Sequence, residues 1–373
     1  MQIQNGYDLV VVGAGIIGLA AAHQAVERGL KVAVVERNAR CIGASIRNFG
    51  FVTVTGQRRG EHWARARKTR DIWLKVASAA GIDVIHQGLY VTAQRAEAVD
   101  VLDAFLLTEM GDSCRWLSRS EREGLLPFVT NAREILHSSL ECRVESKEAI
   151  PRLAAWLQAA HGVDFYWKTA VTGIDLPQVH TSKGSIQTKY CIVCPGHDLH
   201  SLFPDLLSAA GIRMSTLQML RVRPEHEIRL PGAIMSDLSL VRYEGYSALP
   251  ESQPLLARIE AEQPEHLRQG VHLIVVQSAD GSLVVGDSHV YDEAESPFAS
   301  QALDELIMQE FHEVLRLPSA KIVERWTGSY ATANDVVYQA SPEPGLVIGI
   351  VTGGTGASTS FAFADELVQA ALA

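Results

Sequence analysis

Cysteine is scarce in this chain. Five occur in 373 residues, at Cys41, Cys114, Cys142, Cys191 and Cys194, an odd number scattered over a long sequence. That excludes a disulfide-stapled framework and points to a reducing compartment. Basic charge is also short: 33 Lys and Arg stand against 43 Asp and Glu, a net charge of −10. Such a balance argues against nucleic acid as a partner, since phosphate backbones attract basic faces. Long hydrophobic runs are missing too. The apolar stretch near the start is broken by Gly13, Gly15 and Gly18, is too short to cross a bilayer, and follows no basic segment. A cytoplasmic protein without a membrane span is therefore expected. There is no internal repeat and no low-complexity tract. What is present is an ordinary globular mixture, 47% hydrophobic and 20% charged, long enough for two domains.

The stretch LVVVGAGIIGLAAA (Leu9 to Ala22) gives the first positive signal. A β-branched run ending in glycine reads as a buried strand. IIGLAAAHQAVERG then has helical spacing and a stop at Gly29, and LKVAVVER is a second buried strand. In this β-turn-α-β unit the spacing Gly13-x-Gly15-x-x-Gly18 is the dinucleotide fingerprint. Gly13 permits the tight turn, Gly15 lets backbone approach a pyrophosphate, and Gly18 lets helix and strand pack closely. Ile16 and Ile17 open the helix, whose free N–H groups and positive dipole end favour phosphate. Glu36 closes the second strand eighteen residues after Gly18. A carboxylate there accepts from a ribose diol and disfavours a 2′-phosphate, which leaves FAD or NAD and sets NADP aside.

The next segment, ERNARCIGASIRNFGFVTVTGQ (Glu36 to Gln57), continues with small and polar residues instead of another regular βα unit. Here the sequence resembles the D-amino-acid oxidase superfamily of flavoproteins, which includes glycine and sarcosine oxidases. Within it, GASIRNFG most resembles the clade associated with phosphonate utilisation. The resemblance covers the whole chain: Ser146 to Asp175 looks like the family's return to the nucleotide domain, and KYCIVCPGHD (Lys189 to Asp198) like its strand and glycine turn near the cofactor. PGLVIGIVTGGTGASTSFAFADELV (Pro344 to Val368) gives a buried strand, a glycine-rich turn and a final helix. Family members set that turn and helix N-terminus against the pyrimidine end of the flavin, and an NAD dehydrogenase has no reason to carry it.

The resemblance implies FAD as cofactor, held by Gly13, Gly15, Ile16, Ile17, Gly18, Glu36 and Arg37. The small-residue loop would add Ala44, Ser45, Arg47, Asn48, Phe49 and Gly50. The returns would add Ala170, Val171, Cys194, Pro195, Gly196, Trp326 and Gly328, and the closing turn Gly353, Gly354, Thr355, Gly356, Ala357, Ser358 and Thr359. Ser358 stands where sarcosine-oxidase-type enzymes carry a lysine, which removes a simple carboxylate–lysine contact. No cysteine follows Cys194, so the family's cysteine-linked flavin is excluded and non-covalent FAD is expected.

The fold class implied is α/β with an antiparallel sheet: a discontinuous Rossmann-type FAD-binding domain (1–85, 142–215 and 320–373) carrying an inserted, mainly antiparallel substrate domain (86–141 and 216–319). Residues 95–137 read mostly as helix. LQMLRVRP, LSLVRYEGYSALP and HLIVVQSADGSLVVGDSHVY read as strand, with a hairpin at Asp280-Gly281. ESPFASQALDELIMQEFHEVLRL reads as a helix leading back.

Candidates for the substrate site lie in the inserted part. Arg221 and Arg223 share a strand face with Met219, and Arg binds carboxylate or phosphonate in a planar fork. Arg242, Tyr243 and Tyr246 lie where family members present substrate-facing aromatics. His289 follows an apolar strand in phase with Leu283 and Val285. Arg325 belongs to an Arg-x-x-Gly return that resembles the family's. Each has a plainer reading as sheet edge or core. Cys191 and Cys194 have CxxC spacing but lie in a strand without a second pair, so they read as buried core, and no metal site is read from the sequence.

The expected activity is FAD-dependent oxidation of a small zwitterionic amine to an imine that hydrolyses. The clade resemblance points to 2-aminoethylphosphonate or its N-methyl form, with oxygen or another acceptor reoxidising the flavin. The scheme requires no dedicated base. Alternatives are an oxidase of glycine, sarcosine or a D-amino acid, a 2-hydroxyacid dehydrogenase, which would want a base, and a flavin-binding subunit without turnover of its own.

Overall fold

The computed structural model describes residues 6–292, 296 and 298–373. The opening strand Tyr7–Val12 runs parallel to Val32–Glu36 on one side and to Gly184–Val193 on the other. Asp164–Trp167 extends this parallel sheet at one edge and Leu346–Gly353 at the other. The sheet's central part, residues 9–11, 32–35 and 191–193, is apolar and buried because both faces are covered there, as parallel sheets require. On one face the opening helix Ile16–Val26 presents Leu19, Ala20, Ala21, Ala22 and Ala25, all buried. Its alanines let the closing helix Gly356–Leu372 lie close, with Phe361 edge-on to His23 and Trp73. The Glu61–Ala80 helix packs beside them and ends at Gly81, whose φ of +63° turns the chain out of the helix.

The second sheet is mostly antiparallel. Val84–Ala93 pairs with Glu134–Val144, and beyond it lie Ala233–Met235, Ile274–Gln277, Leu283–Gly286 and Arg213–Arg223. Ala233–Met235 joins Val84–Ala93 in parallel, the exception to the pattern. The hairpin at Asp280-Gly281 forms as expected, with Gly281 at φ +79°. One long strand, Lys321–Glu343, belongs to both sheets: its first half pairs with Arg213–Arg223 and its second with Leu346–Gly353. Among the described residues no helix is long and apolar enough to cross a membrane.

Four local expectations are corrected. Residues 95–137 hold two helices, Ala96–Leu106 and Arg119–Leu125, separated by the strand Cys114–Trp116. LSLVRYEGYSALP is not strand. It forms a 3-10 turn at Asp237–Val241 and a short helix at Glu244–Ser247. The chain folds up there because Asp237 turns back to accept from the N–H groups of Gln94 and Arg95, and Gly245 N–H donates to Gly56 O. Helices Ser252–Glu262 and Pro264–Arg268 then occupy a region read as mainly β. The helix expected from Glu295 is Gln301–Val314, and Glu295 and Pro297 lie outside the described residues.

Candidate active site

A cavity of about 820 Å³ opens where the two sheets meet. One end is walled by backbone. Gly13 has φ +101°, and a Cβ there would lie 2.5 Å from Cys194 O; a Cβ on Gly18 would lie 1.9 Å from Gly13 O. Neither position admits a side chain, because strand, turn and helix touch through backbone. The opening helix starts at Gly15 without a side-chain cap. Ile16 N–H donates to Ser45 Oγ at 2.9 Å, tying the small-residue loop to the helix start. Glu36 is buried at the strand end, accepting from Ala14 N at 3.0 Å and from Asn38 N at 2.8 Å, with its edge on the cavity.

The second glycine turn arrives at the same place. The closing helix also begins without a side-chain cap, at Thr355, and a Cβ on Gly356 would lie 3.8 Å from Ile16 Cγ2. Two uncapped helix N-termini, far apart in sequence, therefore open into one cavity. That geometry suits an anionic, extended dinucleotide with polar groups at both ends. Gly354, at φ +69°, packs against the Tyr330 ring. His62 Nε2 lies 3.0 Å from Thr355 Oγ1, and burial, then Arg65 and Arg58, lower its pKa to about 4.

Most residues expected at the cofactor line this cavity: Gly13, Gly15, Ile16, Ile17, Gly18, Glu36, Arg37, Ala44, Ser45, Arg47, Asn48, Phe49, Ala170, Val171, Cys194, Pro195, Gly196, Gly328 and Gly353 to Ser358. Three stand behind it. Gly50 lies against Val144 O, where a Cβ would be 1.8 Å away. Trp326 Nε1 donates to Arg47 O at 3.0 Å, and Thr359 Oγ1 donates to Thr355 O within the helix. Arg37 forms an ion pair with Asp198, and Ser358 Oγ accepts from Thr53 N at 3.0 Å. Cys191 and Cys194 are buried free thiols, and burial raises the Cys194 thiol to about 12.

The other end is built from side chains. Leu217, Met219 and Ile274 supply apolar walls, and Arg242, Tyr243, His272, Asp287, His289, Tyr291 and Tyr330 supply polar ones. Arg242 Nη1 donates to Tyr291 Oη at 3.4 Å. The remaining substrate candidates are placed elsewhere. Arg221 is buried away from the cavity, bonded to Glu324, Ser278 and Ser282. Arg223 pairs with Asp280 on the surface, and Arg325 pairs with Asp304. In each case the strand turns the guanidinium toward a nearby acid outside the cavity. Tyr246 is fully buried against Gly56 and Phe105 and does not reach the cavity. His289 does reach it, although its strand ends at Gly286, so strand phase did not put it there. Sequence reading missed His62, His272, Asp287, Tyr291 and Tyr330. Asp287, two residues before His289, was the one available signal.

The family described as FAD dependent oxidoreductase (DAO) matches residues 8–370. No curated protein matches by sequence. Among solved structures, glycine oxidase from Geobacillus kaustophilus is similar at a TM-score of 0.77 and 16% identity, over 98% of this chain and 95% of that one. L-proline dehydrogenase from P. horikoshii gives 0.78 and 17%, over 98% and 93%. L-alpha-glycerophosphate oxidase from Mycoplasma pneumoniae, with FAD bound, gives 0.75 and 17%, over 99% and 96%. At such identities these likenesses speak for the fold alone, whereas the family match runs through both glycine turns and nearly the whole sequence. The chain belongs to the DAO family of FAD-dependent oxidoreductases.

Proposed function

We propose that this enzyme oxidises a small zwitterionic amine whose anionic group is held by Arg242. The observation that carries the reading is the position of that guanidinium. It lines the end of the cavity opposite the uncapped helix starts, beside Tyr243, Tyr291 and Tyr330 and next to apolar walls. A fixed guanidinium in a partly dry site binds a carboxylate or phosphonate through charge-assisted hydrogen bonds. The same dryness disfavours a charged ammonium and helps supply the neutral amine that oxidation needs.

FAD, held without a covalent link, would supply two-electron redox chemistry at the substrate carbon. The residues proposed to hold it are the glycine turn Gly13–Gly18, Glu36 toward the ribose, the loop from Ala44 to Phe49, and the closing turn Gly353–Ser358. The FAD-binding part is read as 1–85, 142–215 and 320–373, with the substrate part inserted. The finer reading, resting on the GASIRNFG resemblance, is 2-aminoethylphosphonate or its N-methyl derivative, with glycine, sarcosine or a D-amino acid next.

A second reading has its own support. His272, Asp287 and His289 line the cavity, and oxidation of a 2-hydroxy acid wants a base to take the hydroxyl proton. Anaerobic mixing of the yellow holoenzyme with panels of aminophosphonates, amino acids and 2-hydroxy acids separates these readings. Bleaching by aminophosphonates supports the first. Bleaching by sarcosine or glycine alone moves the substrate while keeping the chemistry, and bleaching by hydroxy acids alone overturns the amine reading.

A further inference from the structure

His272, Asp287 and His289 are all buried, and one ligating atom of each lies within 4.8 Å of the others. Their outer hydrogen bonds fix the tautomers. His289 Nδ1 lies 3.1 Å from Gly270 O, an atom that only accepts, so Nδ1 carries the hydrogen. Ser239 Oγ donates to Leu273 O at 3.3 Å, which leaves its lone pairs toward His272 Nδ1 at 3.2 Å; that nitrogen carries its hydrogen as well. Each neutral ring therefore turns a bare Nε2 toward Asp287, at 3.0 Å for His272 and 3.7 Å for His289. Lone pairs face a carboxylate, at hydrogen-bond distance for His272 and just beyond it for His289. One added proton converts that opposition into a charge-assisted bond.

Two things keep the proton off. Burial, and then the nearby positive charge of Arg242, push His289 down to about 3. Burial likewise lowers His272, with Asp287 opposing. Burial alone would raise Asp287, but the nearby positive charge of Arg242 is among the causes that hold it at about 2. The other groups facing the trio are phenols: Tyr243 packs edge-on to His272, Tyr330 edge-on to His289, and Tyr291 meets Arg242. Burial raises the Tyr243 and Tyr330 phenols, which therefore stay neutral and do not compete for charge. Arg242 is thus the adjustable term, since an anion seated on it cancels its repulsion of a proton.

We propose that His272, Asp287 and His289 form the proton acceptor of the substrate site, armed when the substrate's anion binds Arg242. The inference rests on the reading of Arg242 as anion anchor. An N–H bond of the substrate ammonium breaks, its electron pair stays on nitrogen as the lone pair, and the proton bonds to His289 Nε2. Asp287 then holds the imidazolium. The step moves a proton and no electrons, and it delivers the neutral amine on which oxidation occurs. His289 is the acceptor because its Nε2 is the less tightly engaged of the two. Asp287 and His272 are positioning residues that act through it.

The test needs no substrate. The wild-type holoenzyme is titrated with methylphosphonate and with trifluoroacetate, anions whose own charge does not change near pH 5, at that pH by calorimetry in buffers of unequal ionisation heat. Uptake of about 0.3 to 1 proton per bound anion is expected, because the histidine pKa rises on binding. In H289Q, with flavin absorbance retained to show that it folds, the anion still binds and the uptake disappears; D287N reduces it. Wild-type binding without proton uptake overturns the inference and leaves the anion anchor standing. So does uptake that survives in H289Q. Failure of either anion to bind removes the anchor reading and this inference with it. Stoichiometric divalent metal that a chelator strips with loss of anion binding also overturns it, because the three atoms would then hold a cation in place of a proton.

Discussion

At one end of the cavity the lining is backbone, bent by glycines and ended by two helix starts. At the other it is side chains, brought from Arg242, His272, Asp287, His289, Tyr291 and Tyr330. At the first end Gly13 and Gly18 admit no side chain: a Cβ at Gly18 would sit 1.9 Å from a carbonyl oxygen. The second has atoms that bind, titrate and can be exchanged one at a time. Under the proposed assignment of the two ends, cofactor retention and substrate choice are separable properties of this molecule.

Gly18→Val should break the backbone end altogether. The added branch has no room without moving the turn, so the purified variant is expected to be colourless, with flavin affinity down by about 100-fold or more. A yellow variant with normal affinity would show that the turn yields. Arg242→Met should break the other end and leave the first intact. Flavin stays bound, while KM for the anionic substrate rises by about 100-fold, the ~2–3 kcal/mol of a charge-assisted bond. Equal loss of flavin and substrate would erase the separation.

Acid should reach both ends. His62, beside Thr355, and His289 have folded pKa values of about 4 and about 3, below the usual 6.5. The unfolded chain binds more protons in between. The stability these groups contribute is complete above pH 6.5 and is lost as pH falls toward 4, at up to ~1.4 kcal/mol per pH unit for each. Melting temperature measured from pH 7 to pH 4 should fall accordingly, and a flat profile would contradict the buried neutral state. Glu36→Gln should weaken FAD by about 10-fold, or ~1.5 kcal/mol, through loss of a charged acceptor, with KM unchanged. Equilibrium dialysis of the flavin measures it. Arg223→Ala should change stability by no more than ~0.5 kcal/mol and leave turnover alone, because its Asp280 pair is on the surface.

The backbone end was legible in the sequence because its chemistry is local. Gly13, Gly15 and Gly18 lie within six residues, and so do Gly353, Gly354 and Gly356, each run set between a buried strand and a helix. The side-chain end was not, because its polar residues come from separate segments between Arg242 and Tyr330 and converge only after folding. Arg221 and Arg325 looked equivalent to Arg242 by residue type, each lying in a segment read as strand or return. What separates them is an acid nearby in space: Glu324 meets Arg221, and Asp304 meets Arg325. Tyr246 was misplaced for another reason. The segment that carries it folds into short helices and not strand, which sends its ring into the gap left by Gly56.

The closing helix Gly356–Leu372 lies against both the opening helix and Glu61–Ala80, and Trp73 Nε1 donates to its Ala357 O at 2.9 Å. A ribosome that has made everything up to Gly356 has thus produced both sheets' strands but only one of the two anion-facing helix starts. On the proposed placement of FAD, flavin capture is expected only after translation has passed that helix. A pulse-labelled nascent chain stalled earlier should stay protease-sensitive whatever the FAD supply.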